Sequence, residues 1–368
     1  MKLNTLIFAL LLILPAITGC ITETIDGELG NDQVKDPDLE LVIVTYDVSG
    51  LTDSMLSEFE NQTGFEVTLI KLGDAGSILD HLLQHKGAQT ADLALGLDNT
   101  YLQTAIEAGV LIEHLAQVEN LSDSALEPYD GPLAVPFDQG WICLNYDTDK
   151  VDGVNLTIPT SLWNLTQDEW KGKVVVPSPA TSSPGRAFMT TTTDYFSNDG
   201  DNSTEWTDWW SAMADNDLII TSGWSEAYET HYTGGYGEWT DGYIGDAYLT
   251  VSYCHSPGVE AYFGGNWTHS AALDLDGASF HQVEYAAAID GGNLIAASSF
   301  IEYLTSETVN ANMPIENYMY PALDGMDLPE IDGYRYHSII PTTSANVSMS
   351  TIATEMDGWI IDWNAAVL

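Results

Sequence analysis

Trp224, Glu226 and Tyr228 fall within the segment Thr221-Ser-Gly-Trp-Ser-Glu-Ala-Tyr228, which offers a flat, positively charged small molecule two aromatic faces and an anion. Aromatic faces attract cations through their quadrupole, by about 0.5–2 kcal/mol per contact, and a carboxylate adds charge and hydrogen bonding. The same spacing also serves packing alone, because Trp224 and Tyr228 stand at i and i+4 of a helix. Further carboxylates come where predicted strands end, in Thr45-Tyr46-Asp47, Gly73-Asp74-Ala75-Gly76-Ser77 and Gly96-Leu97-Asp98-Asn99. Each can act as a helix N-cap; after the second strand, Ser77 is an equally good cap and would leave Asp74 free. Ser182 and Ser183 lie in Pro177-Ser-Pro-Ala-Thr-Ser-Ser-Pro-Gly-Arg186, with Ser183 expected as N-cap and Pro184 at the first helical position. Their hydroxyls and N–H groups either cap the helix or present themselves to a hydroxyl or phosphate.

These groups need a frame, and the hydrophobic pattern supplies one. Strands are predicted at 39–46, 65–72 and 91–97, alternating with helices at 55–62, 78–85 and 101–108 that stop at Gly64, Gly87 and Gly109. Such a βαβαβα series implies a mainly parallel sheet with helices on both faces, and ligands of such sheets bind beyond the carboxyl ends of the strands. A long strand from Ala134 carries the chain into a second lobe, where a strand at 173–176 precedes the Ser182–Ser183 turn. About 330 residues exceed a comfortable single core, so two lobes are expected. Near the end, Ile352, Met356, Trp359, Ile360 and Trp363 form the apolar stripe of a terminal helix, for which core packing is the better reading.

The first residues address the chain outward. Lys2, an apolar run at 6–14, and Ile17-Thr18-Gly19-Cys20 have the form of a secretory signal peptide. Cysteine after Thr-Gly resembles a lipobox, with Cys20 the lipidated N-terminus of the mature chain and residues 21–38 a polar tether; a simple cleaved signal or N-terminal anchor is the alternative. With 55 acidic against 9 basic residues, a formal charge of -46 repels nucleic acid and anionic lipid. Seven Asn-X-Ser/Thr sequons suit an extracytoplasmic body. Cys143 and Cys254 either pair or are buried thiols. Neither Gly-X-Ser-X-Gly nor His-Glu-X-X-His occurs, and His81 and His85, at i and i+4, lack a third ligand, so neither a catalytic nor a metal residue is assigned.

The order of motifs resembles the substrate-binding proteins of thiamine ABC transporters. The matching segments are Val44-Thr-Tyr-Asp47, Leu72-Gly-Asp74, Asp92 with Leu95-Gly-Leu-Asp-Asn99, Pro136-Phe-Asp-Gln-Gly140, Thr181-Ser-Ser-Pro-Gly185, Gly223–Tyr228, Leu249-Thr-Val-Ser-Tyr253, His281-Gln-Val-Glu284 and Asn317-Tyr-Met-Tyr-Pro321. The resemblance implies an α/β, two-lobe type II periplasmic binding protein fold, each lobe a mainly parallel sheet flanked by helices, with the ligand cleft between lobes. It divides the chain into a signal peptide (1–19), tether (20–38), first lobe (39–135 plus 280–325), second lobe (136–279) and C-terminal extension (326–368). It implies that Tyr46, Asp74, Ser182, Trp224, Tyr253 and Tyr318 line the cleft, with Asp98, Asp138, Ser183, Glu226 and Tyr262 as further candidates. Glu226 has a competing role, stabilising its helix N-terminus, and Arg186 is either a phosphate ligand or a surface residue. The sequence departs from the family at Tyr318, where the family has tryptophan, at Val259, where it has tyrosine, and in a Gly/Tyr/Trp-rich stretch at 234–243 that reads as a loop insertion near the cleft. Tyr262 is the nearest aromatic able to replace the one missing at Val259. The implied function is capture of thiamine or its phosphates, without turnover or cofactor, by a monomer held to the membrane only through its lipid and serving an ABC permease. A polyamine or ferric-iron binder of the same fold is the alternative.

Overall fold

A computed structural model describes residues 39–368 except 89, 202, 327 and 330–332; the signal peptide, Cys20 and the tether lie outside the described residues. The chain opens with β1 (Glu40–Tyr46), α1 (Asp53–Thr63), β2 (Glu66–Leu72), α2 (Ala75–Gln84), β3 (Leu93–Asp98) and α3 (Leu102–Ala108), the alternation the hydrophobic pattern predicts. β1 runs parallel to both β2 and β3. Leu41, Ile43, Leu93 and Leu95 pack one face of these strands against Phe59 and Phe300, while Val44, Ala94 and Leu97 pack the other against Ile78, Leu79 and Leu102.

After the short α4 (Asp123–Leu126), β4 (Val135–Asp147) leads into the second lobe, followed by β5 (Val174–Pro177), α5 (Ser183–Asn198), α6 (Trp206–Asp215), β6 (Ile219–Thr221), β7 (Leu249–Tyr253), α7 (Ser256–Phe263) and β8 (Ser270–Ala272). β5 is parallel to β6 and β7. β9 (Phe280–Ala288) returns the chain to the first lobe, where α8 (Leu294–Leu304), α9 (Glu307–Asn310), α10 (Met313–Glu316) and β10 (Tyr320–Pro321) follow; α11 (Tyr334–His337) and α12 (Met349–Val367) end the chain.

The main strand order is β2-β1-β3-β9-β4-β7-β5-β6. β4 and β9 are therefore common to both lobes and antiparallel to their neighbours: β9 pairs with β3 and β4, and the far half of β4 pairs with β7 and β8. The second lobe's core centres on Trp170, Phe188, Trp209 and Trp210, joined by Ile352, Met356 and Trp363 of α12, which places the terminal tryptophan stripe in the core. Met349, at the start of the same helix, packs into the first lobe's cluster. Cys143 on β4 and Cys254, the residue just after β7, form a buried disulfide that closes a sequence separation of 111 residues. Among the described residues no helix is long and apolar enough to cross a membrane.

Candidate functional site

Three carboxyls stand in register across the middle of the sheet. Glu284 on β9 is the cross-strand partner of Asp98 on β3 and of Asp138 on β4, and all three are at most 6% exposed. Directly opposed like charges destabilise a sheet, and an unpaired buried charge is costlier still. Polar neighbours compensate only in part. Tyr46 Oη donates to Glu284 Oε2 at 2.9 Å; Asn317 Nδ2 donates to Tyr46 Oη at 2.9 Å and to Asp138 Oδ2 at 2.5 Å. Gln282 Nε2 reaches Glu284 Oε1 and Tyr253 Oη, each at 3.2 Å. Asp98 Oδ2, Asp138 Oδ1 and Gln282 Oε1 are buried without a partner. Burial raises the Glu284 carboxyl to about 8, the charges of Asp98 and Asp74 adding to it; burial, then Glu284, pushes Asp138 well up. Tyr46 lies across β3 because residue 96 is glycine, with φ +98° and a Cβ position only 2.2 Å from the Tyr46 ring.

Asp74 joins the lobes. It is the N-cap of α2, accepting from Ala75 N at 2.8 Å, so the expectation that Ser77 would cap this helix and leave Asp74 free is corrected; Ser77 N instead donates to the Asp74 carbonyl at 2.8 Å. The other Asp74 oxygen, Oδ2, accepts from Ser183 N of the second lobe at 3.0 Å. The start of α5 also shifts by one residue: Ser182, in extended conformation, is the N-cap, and Ser183 is already helical. The N–H groups expected to face a ligand are engaged, Ser182 N with the Ser178 carbonyl at 3.0 Å and Ser183 N with Asp74. The hydroxyl of Ser182 remains fully buried and unpartnered. That of Ser183 lies near Asp74 and Asp98 and lowers both carboxyls against the larger upward effect of burial, although it makes no hydrogen bond of good geometry. Arg186, on the same helix, lies over the Tyr101 ring at 4.0 Å and donates to the Thr100 carbonyl at 3.4 Å, so it is not a simple surface residue.

Aromatic side chains continue the site into the second lobe. Trp224 is half-buried, its Nε1 donates to Ser252 Oγ at 2.8 Å, and Tyr228 stacks on it at 5.0 Å and 16°, so the i, i+4 pair exists and is also anchored beside Tyr253. The segment opens a π-helical turn at Glu226–His231, a local widening frequent at functional sites. Tyr228 Oη donates to buried Glu260 at 2.5 Å. Glu226 is exposed and accepts from Ser222 N and Oγ at 2.9 and 2.8 Å. Those bonds pull its carboxyl down, and they make it a turn residue rather than part of the buried cluster. Tyr318 is half-exposed with φ 56°, and its carbonyl accepts from His255 Nε2 at 2.5 Å. Burial lowers His255 to about 4, so the ring is a neutral donor at neutral pH. Tyr262 packs against Tyr334 and Phe263, whereas Phe263 meets the Tyr318 ring edge-on at 5.7 Å. Tyr236, from the inserted stretch, contacts Tyr228 at 5.9 Å.

The model of the family described as bacterial extracellular solute-binding protein matches residues 54–332. The chain belongs to this family. It is 27% identical over 333 residues to the thiamine-binding periplasmic protein of Salmonella typhimurium (89% of this chain, 93% of that one). The corresponding Escherichia coli protein is 26% identical over 334 residues, with the same coverage. Among solved structures, a periplasmic thiamin binding protein superposes with a TM-score of 0.75 at 25% identity, covering 89% of this chain and 96% of that one. The two-lobe fold expected from the sequence is thus the fold of this solute-binding protein.

Within that fold, the structure brings together Tyr46, Asp74, Asp98, Asp138, Ser182, Ser183 and Tyr253 with Glu284, Asn317 and Gln282, which sequence reasoning had not singled out. Their signal was present, since Glu284 and Asn317 stand in matched motifs. Trp224 joins through Ser252, and Tyr318 through the Asn317 backbone. His81 and His85 lie elsewhere, on the α2 surface with rings 4.3 Å apart. Among the described residues, one trio, Asp147, Asp149 and His269, places three metal-ligating atoms within 4.8 Å of one another. It sits at the opposite end of β4 from Asp138, and Asp147 is already bonded to Thr233 and Asp149 N.

Proposed function

We propose that this protein captures thiamine in the cleft between its lobes and delivers it to an ABC permease, acting as a monomer held outside the cell membrane by lipid on Cys20. The observation that carries the reading is the register of Asp98, Glu284 and Asp138 across three neighbouring strands. A fold gains nothing by opposing buried acids without a cation, whereas a thiazolium ring supplies a permanent charge that stabilises them. Trp224, Tyr253 and Tyr318 offer the aromatic faces that flat heterocycles and cations favour, and the thiamine-binding relatives share about a quarter of their residues with this chain across nearly its whole length. We assign ligand contact to Tyr46, Asp74, Ser182, Trp224, Tyr253, Tyr318 and Glu284, and no catalytic role to any residue.

The first lobe is taken as 39–135 plus 280–325 and the second as 136–279, with the extension from 326 bound to the second lobe through α12. β4 and β9 provide the flexible connection about which such lobes close on a ligand and exclude water. A polyamine would also satisfy buried acids and be attracted to aromatic faces, and it is the thiamine-binding relatives that favour thiamine over it. Iron prefers oxygen ligands converging on one point, and among the described residues the trio whose ligand atoms converge, Asp147, Asp149 and His269, lies away from this cluster. Calorimetry of the purified protein against thiamine, spermidine and ferric citrate tests the assignment: thiamine alone should give a saturable signal, and binding of spermidine or iron with no response to thiamine or its phosphates would overturn it.

A further inference from the structure

We propose that Tyr236 contacts the ligand: the loop at 234–243 brings one further aromatic face to the cleft beside Trp224 and Tyr318, where α7 offers only Val259; this rests on the thiamine reading above. Trp224 and Tyr228 are stacked at 5.0 Å and 16°, but Tyr228 is 1% exposed, so its ring serves packing alone. The ring that covers it is Tyr236, 5.9 Å away and tilted by 50°, and Tyr236 is 37% exposed. The aromatic row that begins at Trp224 therefore ends on a ring a ligand can reach.

The loop holds this side chain firmly. Tyr236 opens a 3₁₀ turn, Tyr236–Trp239, between two glycines whose backbone lies flush on the π-helical turn. A Cβ on Gly235 would stand 2.8 Å from the Tyr228 ring and 3.2 Å from Glu260 Oε1, and one on Gly237 would stand 2.2 Å from the Glu229 carbonyl oxygen, so a larger residue at 237 would push the loop off its seat. Tyr236 Oη donates to Glu229 Oε1, which fixes the direction of the ring. A phenol that donates to a carboxylate also has a more electron-rich ring, and such a ring attracts a cation more strongly. Glu260 ties the loop to α7. Its carboxylate accepts from Tyr228 Oη at 2.5 Å and from Thr268 Oγ1 at 2.9 Å; burial raises it to about 7 against these bonds and the Tyr236 backbone. Tyr236 is thereby brought to the turn of α7 that carries Val259, which is partly exposed. From the other lobe, the Tyr318 phenol is near enough to add to the rise of the Tyr236 phenol, for which burial and Glu229 are the larger causes.

Calorimetry of the purified protein with thiamine compares the wild type with Tyr236→Ala, Tyr236→Leu and Tyr236→Phe. Loss of the aromatic face should weaken binding by about fivefold or more in the Ala and Leu variants, while Phe, which keeps the face and loses only the Glu229 bond, should stay within about threefold of wild type. Leu still covers Tyr228, so it decides the matter if the Ala variant does not fold. Trp239→Ala checks the integrity of the loop separately. Trp239 lies on the same turn, 65% exposed and against Trp267 at 4.7 Å, and its loss should leave affinity within about twofold. A loss of less than about fivefold in the Leu variant, or an equal loss in Tyr236→Phe or Trp239→Ala, would overturn the inference and leave the thiamine assignment standing. A wild-type protein that binds neither thiamine nor its phosphates would instead overturn that assignment, and the inference with it.

Discussion

Glu284→Gln should convert a pH-dependent binding reaction into a nearly pH-independent one. In the ligand-free protein, burial lifts the Glu284 carboxyl to about 8, with Asp98 and Asp74 raising it further and the hydrogen bonds from Tyr46 and Gln282 opposing. Asp138, its register partner, is raised as well, so at neutral pH this pair retains a proton. A thiazolium charge about 4–5 Å away, at an effective dielectric near 20, contributes roughly 3.5 kcal/mol, or about 2.5 pKa units. The bound carboxyl would then titrate at roughly pH 5–6. Because the cation favours the ionised form, affinity rises with pH, by up to about tenfold per unit between roughly pH 5.5 and 8, and levels off above 8. At pH 7 binding should release roughly 0.9 of a proton, the difference between a group that titrates at about 8 when free and one that titrates near 5.5 when bound. Calorimetry in buffers of different ionisation enthalpy counts that proton directly. Glu284→Gln keeps an acceptor for Tyr46 but cannot ionise, so it should match wild-type affinity near pH 5 and fall more than about tenfold below it near pH 8. Equal wild-type affinity at pH 6 and 8 without proton release, or the full slope surviving in the variant, would refute the placement of the cation beside Glu284.

Trp224→Ala should weaken thiamine binding more than about tenfold, through loss of the aromatic face and its Ser252 anchor, and unchanged affinity in titrations would remove Trp224 from the site. Phe263→Ala should weaken binding more than Tyr262→Ala, because Phe263 is the residue against Tyr318; the reverse order would restore Tyr262 to the cleft. Reduction of Cys143–Cys254 should destabilise the protein by up to about 4–5 kcal/mol on a chain-entropy estimate for its 111-residue separation, measured as a lowered denaturant midpoint. Without ligand, stability should decline as pH rises from about 6.5 toward 8. His255 and His281, held near 4 by burial, lose stability as pH falls from 6.5; Glu260 and Glu284, raised to about 7 and about 8, lose it as pH rises through 4.5. A midpoint of unfolding that climbs steadily from pH 6.5 to 8 would contradict these assignments.

The alternation of β1 through α3 was legible because apolar spacing and helix stops report local structure. What escaped depended on distance or on a near tie. Ser182 and Ser183 are equally good caps, and only the extended backbone of Ser182 decides between them. Asp74 and Ser77 present a similar tie, decided by the capping bond to Ala75 N. Tyr262 and Phe263 are adjacent on a helix and diverge by about 100°, so sequence proximity to the missing aromatic could not show which of them meets Tyr318. Cys143 and Cys254 needed the β4–β7 pairing to become neighbours. Glu284 is the clearest case. β9 is buried on both faces over most of its length, so no alternation marks its glutamate as inward-facing, and its partners Asp98 and Asp138 come from other strands whose register the sequence does not state.

On the proposed assignment, closure of the lobes and recognition of the ligand would share one carboxylate. Asp74 uses one oxygen to cap α2 in the first lobe and the other to hold Ser183 N of the second, while Arg186 reaches from the second lobe to Tyr101 and Thr100 of the first. These contacts draw the lobes together at the same end where burial raises Asp74 and Asp98. A cation entering there stabilises the ionised carboxylates, and ionised Asp74 is the stronger acceptor for Ser183 N. Ligand binding and lobe closure would then reinforce each other through electrostatics, without any group having to leave one partner for another.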